Sequence, residues 1–218
     1  ALLQAQADGG KVGLFFVDID DFAAVNDTVG HDGGDQVLST VAGRLRDVAQ
    51  EGAVVTRPGG DEFVAVARAP NDDALLDLGR RITESVHEPV MLGAREFRLT
   101  CSVGIARYPD DAQDPRSLMR FADMAMYGAK TTGRNQVNLF TPDLRERRMH
   151  RVDLENALKG AIERGEFALE FQPQFDMVTR QLVGAEVLLR WRHHALGNVG
   201  PSVFVPVAED IGIVQDVG

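Results

Sequence analysis

Residues 57–63 read Arg57-Pro58-Gly59-Gly60-Asp61-Glu62-Phe63, and the apolar segment FVAVA begins at Phe63. Proline followed by two glycines is turn chemistry. The β-rich runs Ala53 to Thr56 and Phe63 to Ala67 flank it, so the spacing predicts a tight hairpin with two carboxylates at its tip. A solvated turn accounts for such carboxylates. So does a site that needs acidic oxygens beside bare backbone, because glycine lets a ligand come close.

Working outward, residues 12–19, VGLFFVDI, form a short and nearly all-apolar run, the pattern of a strand buried on both faces. The run ends in DIDD, so acidic groups gather where the strand stops. Residues 36–48 place Val37, Leu38, Val41, Leu45 and Val48 on one helical stripe, and residues 72–86 do the same with Leu75, Leu78, Ile82 and Val86 before Pro89 stops the helix. Phe97 to Ala106 alternates as one long strand. Residues 117–129 form a further helix, ended by Gly133, with Met119, Met124 and Met126 as packing residues. Gln136 to Phe140 is a last short strand. The order β-α-β-β-α-β-α-β predicts an α/β sandwich of ferredoxin-like, adenylyl-cyclase-like type closing near residue 141.

The texture then changes. TPDLRERRMHR is charged, and Leu154, Leu158 and Ile162 continue an apolar stripe, which predicts a connecting helix over 142–164 with the basic run 145–151 on its solvated face. Two strand-like runs follow, Phe167 to Phe171 and Leu182 to Leu189, and then a loop rich in His, Gly and Pro. Residues 165–218 read as the beginning of a second unit.

Bulk properties narrow the function. The 218 residues suffice for one generous domain, or one domain and part of another. At 44% hydrophobic and 26% charged residues, the composition is that of a globular protein with a real core. A formal net charge of -10 argues against a nucleic-acid polymer or an acidic membrane surface as a general partner. The one cysteine, Cys101, lies in the apolar run LTCSVGIA and reads as a buried structural thiol, so no intrachain disulfide is expected. No apolar stretch approaches the ~20 residues of a membrane span, and no signal peptide opens the chain. These features predict a cytoplasmic protein or the cytoplasmic part of a larger one.

Asp18 ends one strand and Asp61 sits on the hairpin, and the two elements can be neighbours in one sheet. Carboxylates brought together there repel unless a cation neutralises them. Hard carboxylate oxygens suit magnesium, and magnesium suits a phosphate ligand. A helix starting after Asp20-Asp21 offers free N–H groups to phosphate oxygens. Lys130 and Arg134 are natural cations for the outer phosphates, although both also fit a helix C-terminus, where positive charge is favoured. Asp20 reads equally as a ligand or a structural acid. His31 reads as a turn residue, and His193-His194 as a solvated loop rather than a transition-metal site.

Together RPGGDEF, DIDDF with Asn26-Asp27, GHDGGD at 30–35 and AKTTGRN at 129–135 resemble, in order and spacing, the GGDEF domain of the diguanylate cyclase family, over roughly residues 3 to 141. The resemblance implies condensation of two GTP molecules into cyclic di-GMP with release of pyrophosphate, magnesium (or manganese) as cofactor, and a homodimer of such domains, each holding one GTP. It implies that Asp18, the carbonyl of Ile19 and Asp61 hold the metal, and that Asp61 or Glu62 lies near the attacking 3′-hydroxyl. Asn26 and Asp35 would read guanine, whose N1–H and amine pair with an acceptor that adenine leaves unsatisfied. Phe22, Lys130 and Arg134 would contact phosphate. The family's usual lysine after the DxDxF phenylalanine is Ala23 here. Its RxxD inhibitory motif is replaced by Gln50-Glu51-Gly52-Ala53, so product inhibition there is not expected. Its opening DxLT…NR segment has no counterpart, and the chain is expected to begin inside or at the end of the first helix.

Residues 171–209 resemble the start of an EAL domain, the cyclic di-GMP phosphodiesterase family. The matching residues are Gln172-Pro173, Glu186-Val187-Leu188-Leu189-Arg190-Trp191, Pro201, and Phe204 to Glu209, with His194 where proline is usual. Glu186 would be a metal ligand and Arg190 a phosphate contact. The family's TIM-like barrel needs ~250 residues. The segment is therefore expected to be an incomplete barrel without phosphodiesterase activity, and its apolar strands to be partly disordered or prone to self-association. Two other readings are a GTP-binding regulatory module controlling an attached phosphodiesterase, and an interaction module without nucleotide. The guanine-reading pair argues against the last.

Overall fold

The computed structural model describes residues 11–49 and 52–217. The opening helix, and residues 50–51 of the stretch that replaces the inhibitory motif, lie outside them. The chain forms two compact units that part between Arg145 and Glu146.

The run VGLFFVDI is the centre of the first unit. Strand β1 (Lys11–Ile19) is buried from Val12 to Ile19. It lies antiparallel between β3 (Glu62–Ala69) and β6 (Cys101–Tyr108). With β2 (Val54–Gly59) and β7 (Val137–Leu139) the sheet order is β2-β3-β1-β6-β7, and only the β6–β7 pair is parallel. Successive side chains of a strand face opposite sides, and here both sides are covered. Phe15, Val17 and Ile19 share a core with Val37 and Val41 of α1 (Phe22–Val48) and with Leu75 and Ile82 of α2 (Asp72–His87). Val12, Leu14 and Phe16 share another with Leu118, Ala122 and Met126 of α3 (Pro115–Thr131). This is the ferredoxin-like α/β sandwich that the element order predicts, with β7 added at one edge.

Local chemistry sets the boundaries. Asn71 caps α2 by accepting from Ala74 N at 2.9 Å, and Asp114 caps α3 by accepting from Ser117 N at 2.9 Å, just before Pro115. Helix α1 starts after Asp21, as read, and reaches Val48 only by bending at Gly30 (φ 73°, ψ 171°). The hairpin turns at Gly60 (φ 56°). Gly104 lets α3 settle on β6, since a Cβ there would lie 2.0 Å from the carbonyl oxygen of Ala122. Cys101 is buried, as expected.

Two expectations are corrected. Phe97 to Ala106 is not one strand. Residues β5 (Arg95–Phe97) fold back on β4 (Val90–Leu92) as a separate hairpin through Gly93 (φ 63°). β6 begins at Cys101 because its partner β1 ends opposite it, at Ile19. The connecting helix does not reach residue 164. It is α4 (Pro142–Leu158), and the chain then turns through Gly160 and Gly165, with φ of 80° and 64°.

In the second unit, β8 (Phe167–Phe175) and β9 (Leu182–His193) pair antiparallel, and β10 (Gly197–Val199) adds to β9. Helices α5 (Pro201–Asp210) and α6 (Val214–Val217) follow. Trp191 and Phe204, fully buried, form its core with Leu154, Leu158 and Val207. The three-stranded sheet is open, in keeping with an incomplete barrel segment. Among the described residues no helix is long and apolar enough to cross a membrane.

Candidate functional site

The carboxyl end of β1 and the β2–β3 hairpin tip are brought together by register. Asp18 stands opposite Glu62, and the amide of Ile19 donates to the carbonyl of Asp61 at 3.2 Å. Asp18 is 5% exposed. Burial pushes its carboxyl above the usual range and Lys130 pulls it back, while the nearby Asp61 and Glu62 carboxylates push it up further. Lys130 Nζ, from the last turn of α3, lies 2.6 Å from Asp18 Oδ1. Asp18 has the Asp61 and Glu62 carboxylates nearby and the Ile19 carbonyl next in the chain, hard oxygen groups of the kind a divalent cation takes. At the tip, nothing lies within 4 Å of where a Cβ on Gly59 or Gly60 would stand, so the backbone faces open space.

Beside the tip is a cleft of about 300 Å³, lined among others by Phe22, Asn26, His31, Asp35, Arg57 and Asp61. The first turns of α1 supply Phe22 and Asn26, and the bend at Gly30 swings His31 and Asp35 onto the same space. Gly34 makes room for Asn26, since a Cβ there would meet Asn26 Oδ1 at 2.0 Å. Arg57 donates from Nε to the Gly60 carbonyl at 2.7 Å, and its Nη1 lies 3.7 Å from Asp35 Oδ1. Arg57 was given no role by the sequence reading. Its place in RPGGDEF, three residues before the turn glycine it binds, was the available signal.

Arg134 follows α3 in a left-handed conformation (φ 59°), and its Nε is 3.9 Å from Asp21 Oδ1. Both carboxylate oxygens of Asp20 are engaged within the protein. Its Oδ1 accepts from Ser102 Oγ at 2.8 Å, and its Oδ2 accepts from Thr100 Oγ1 at 2.8 Å and from Asn135 N at 3.1 Å.

In the second unit, Glu186 and Arg190 lie on the same face of β9, the polar face opposite Trp191. Arg190 donates from Nε to Glu170 at 2.8 Å, and Glu186 pairs in register with Gln172. Glu166, His193 and His194 bring ligand-type atoms within 4.8 Å of one another. Their capacity is already drawn on. Glu166 accepts from Arg164 Nε at 2.8 Å and Trp191 Nε1 at 3.0 Å, which hold its carboxyl down to about 2, and His193 Nδ1 accepts from Leu196 N at 3.1 Å.

The sequence profile described as "Diguanylate cyclase, GGDEF domain" matches residues 1–136. The chain belongs to the GGDEF family. An EAL-domain profile matches residues 155–218, so the GGDEF domain is followed by an EAL segment. The bifunctional diguanylate cyclase/cyclic di-GMP phosphodiesterase MucR of Pseudomonas aeruginosa is 37% identical over 220 residues, covering 100% of this chain and 32% of that protein. The cyclic di-GMP phosphodiesterase NbdA of the same organism is 33% identical over 209 residues, covering 96% of this chain and 27% of that protein. The chain thus spans about a third or less of these relatives. Among solved structures, the GGDEF domain of TpbB (YfiN) from Pseudomonas aeruginosa superposes with a TM-score of 0.65 at 33% identity, covering 67% of this chain and 86% of that one. The GGDEF motifs therefore sit on the sheet end and cleft described above.

Proposed function

We propose that this protein is a diguanylate cyclase, which joins two GTP molecules into cyclic di-GMP and releases pyrophosphate. The observation that carries the reading is the convergence of Asp18, Asp61 and Glu62 at one sheet end beside the cleft holding Asn26 and Asp35. Asn26 and Asp35 present an amide and a carboxylate to the guanine edge. Glycines 59 and 60 let the triphosphate lie against bare backbone. Lys130 and Arg134 grip the outer phosphates, and Phe22 contributes at the start of α1. Asp61 or Glu62 receives the proton of the 3′-hydroxyl that attacks the α-phosphate. Asp18, the Ile19 carbonyl and Asp61 would hold magnesium or manganese, which when bound neutralises charge on the α-phosphate and the departing pyrophosphate. Each domain carries one GTP, so the reaction needs two copies face to face, in the cytoplasm.

A second reading is a GTP-binding module that regulates an attached phosphodiesterase. Ala23 in place of a phosphate-loop cation and the likeness to NbdA, a protein named for phosphodiesterase activity alone, favour it. Incubating the purified chain with GTP and magnesium, and separating products by chromatography, decides between them. Cyclic di-GMP that disappears in Asp61→Ala supports the cyclase. Saturable GTP binding without product supports the regulator.

A further inference from the structure

The mechanism above uses the first acid of DIDD and leaves Asp20 idle, although it is one of few buried charged side chains among the described residues, at 6% exposure. Its oxygens point away from solvent onto two segments of its own chain, residues 100–102 and Asn135. Thr100 and Ser102 hold the carboxylate from the start of β6, and the amide of Asp20 returns a bond to the Thr100 carbonyl at 2.9 Å. The remaining contact is to the amide of Asn135, 115 residues away in sequence.

That contact falls on an unusual piece of backbone. Arg134 and Asn135 are consecutive non-glycine residues at positive φ, 59° and 46°. Side chains adopt this conformation rarely, and surrounding contacts must enforce it. On one side, Arg134 N donates to the Ala129 carbonyl at 3.0 Å; on the other, the Gln136 carbonyl accepts from Val103 N at 2.9 Å. Between them, the partner of the Asn135 amide is Asp20.

We propose that Asp20 is a positioning residue whose carboxylate sets the backbone of the 132–136 loop and so aims Arg134 at the outer phosphates of bound GTP. The proposal rests on the nucleotide reading given above and adds to it a residue that never touches the ligand. It separates two neighbours in one motif: Asp18 faces the reacting groups, and Asp20 faces the scaffold that presents their counter-charge.

Hydrogen-bonding capacity makes the idea testable. An asparagine at position 20 can keep the network: its oxygen accepts from Thr100 and Asn135, and its amide donates to Ser102, whose hydroxyl can turn to accept. A metal ligand would not survive that change. Affinities of the full chain for GTP and for GMP, each with magnesium, are measured for the native protein, Asp20→Ala and Asp20→Asn. Asp20→Ala is expected to weaken GTP binding about tenfold and GMP binding by less than about twofold, the cost of one misplaced charged hydrogen bond. Asp20→Asn is expected to restore the native GTP-to-GMP ratio and most of the turnover. Equal losses for both nucleotides in Asp20→Ala, or an Asp20→Asn protein as damaged as Asp20→Ala, overturn the proposal. Should Asp20→Ala fail to fold, a folded Asp20→Asn decides alone. A near-native ratio upholds the assignment, and a lost one ends it. A native chain that binds no GTP sinks the nucleotide reading and this proposal with it, whereas native binding with an unaltered Asp20→Ala ratio sinks this proposal only.

Discussion

Strand β1 and the β8–β9 pair are written in similar apolar residues, yet they meet different fates. Both faces of β1 are covered, one by α1 and α2 and the other by α3. Among the described residues, the apolar face of β8–β9 is covered only at one end. There Phe167 and its cross-strand partner Trp191 pack with Phe204. Along the same face Leu169, Phe171 and Val187 are exposed by 59%, 65% and 54%. Apolar content therefore does not distinguish a finished sheet from an open one. The number of layers supplied by the rest of the chain does, and a contiguous exposed patch of this kind marks a surface suited to association.

The comparison can be broken first at its two centres. Replacing either Phe15 or Trp191, both fully buried, by alanine should cost about 3–5 kcal/mol in its own unit. The two should differ in consequence: Phe15→Ala abolishes GTP binding, whereas Trp191→Ala leaves it intact while the second unit melts early. Parallel calorimetry and nucleotide titration check this. A Trp191→Ala protein that loses GTP binding would show that the units do not stand independently.

Gly104→Ala is expected to cost about 1–3 kcal/mol by forcing α3 off the sheet, read as a shift in the urea midpoint. The contact is with backbone, so no side-chain rotation relieves it.

Asp18→Asn sharpens the contrast between stability and function. The folded-state pKa of Asp18 is raised above its ordinary 3.8. Its contribution to stability is therefore fully present below that value and is lost as pH rises through the higher folded value. Asp18→Asn should unfold at a higher temperature than the native chain at pH 7, show a flatter stability profile above pH 4, and make no cyclic di-GMP. An unchanged profile in differential scanning fluorimetry would refute the assignment of strain to this carboxylate.

The smallest effect is expected on the open face. Phe171→Lys should change unfolding free energy by within about 0.5 kcal/mol while reducing light scattering at high protein concentration. An equal drop in scattering from a lysine on the polar face, at Gln172, would argue against the patch as the cause.

Much of this was legible in the residues. The run from Val12 to Ile19 read as a strand with both faces buried, and Arg57 to Phe63 as a tight turn, and both are so in the structure. They allowed Asp18 and Asp61 to be neighbours in one sheet, and the register that sets Asp18 opposite Glu62 came from the structure. The failures have physical causes. Phe97 looked continuous with β6 because alternation cannot say which partner a strand takes; Gly93 gave it a nearer one. Ile162 continued a helical stripe past Gly160, because a periodic pattern carries no record of backbone handedness. Asp20 stayed open between ligand and structural acid because its partner lies far away in sequence (Asn135), and Arg57 received no role because its contact depends on the shape of the turn at Gly60. The distant partner of Asp20 leaves no trace in local spacing, whereas the place of Arg57 three residues before Gly60 does.

The burial of Cys101 has a practical corollary. Its thiol is fully enclosed and its ionisation is driven up by that enclosure, so it reacts slowly with alkylating reagents. A cysteine introduced at an exposed position, such as Met177 or Asp32, would then be the sole readily reactive thiol of the molecule. Fluorophores or spin labels could be attached one at a time, with no background to remove, to follow the hairpin cleft and the open sheet separately.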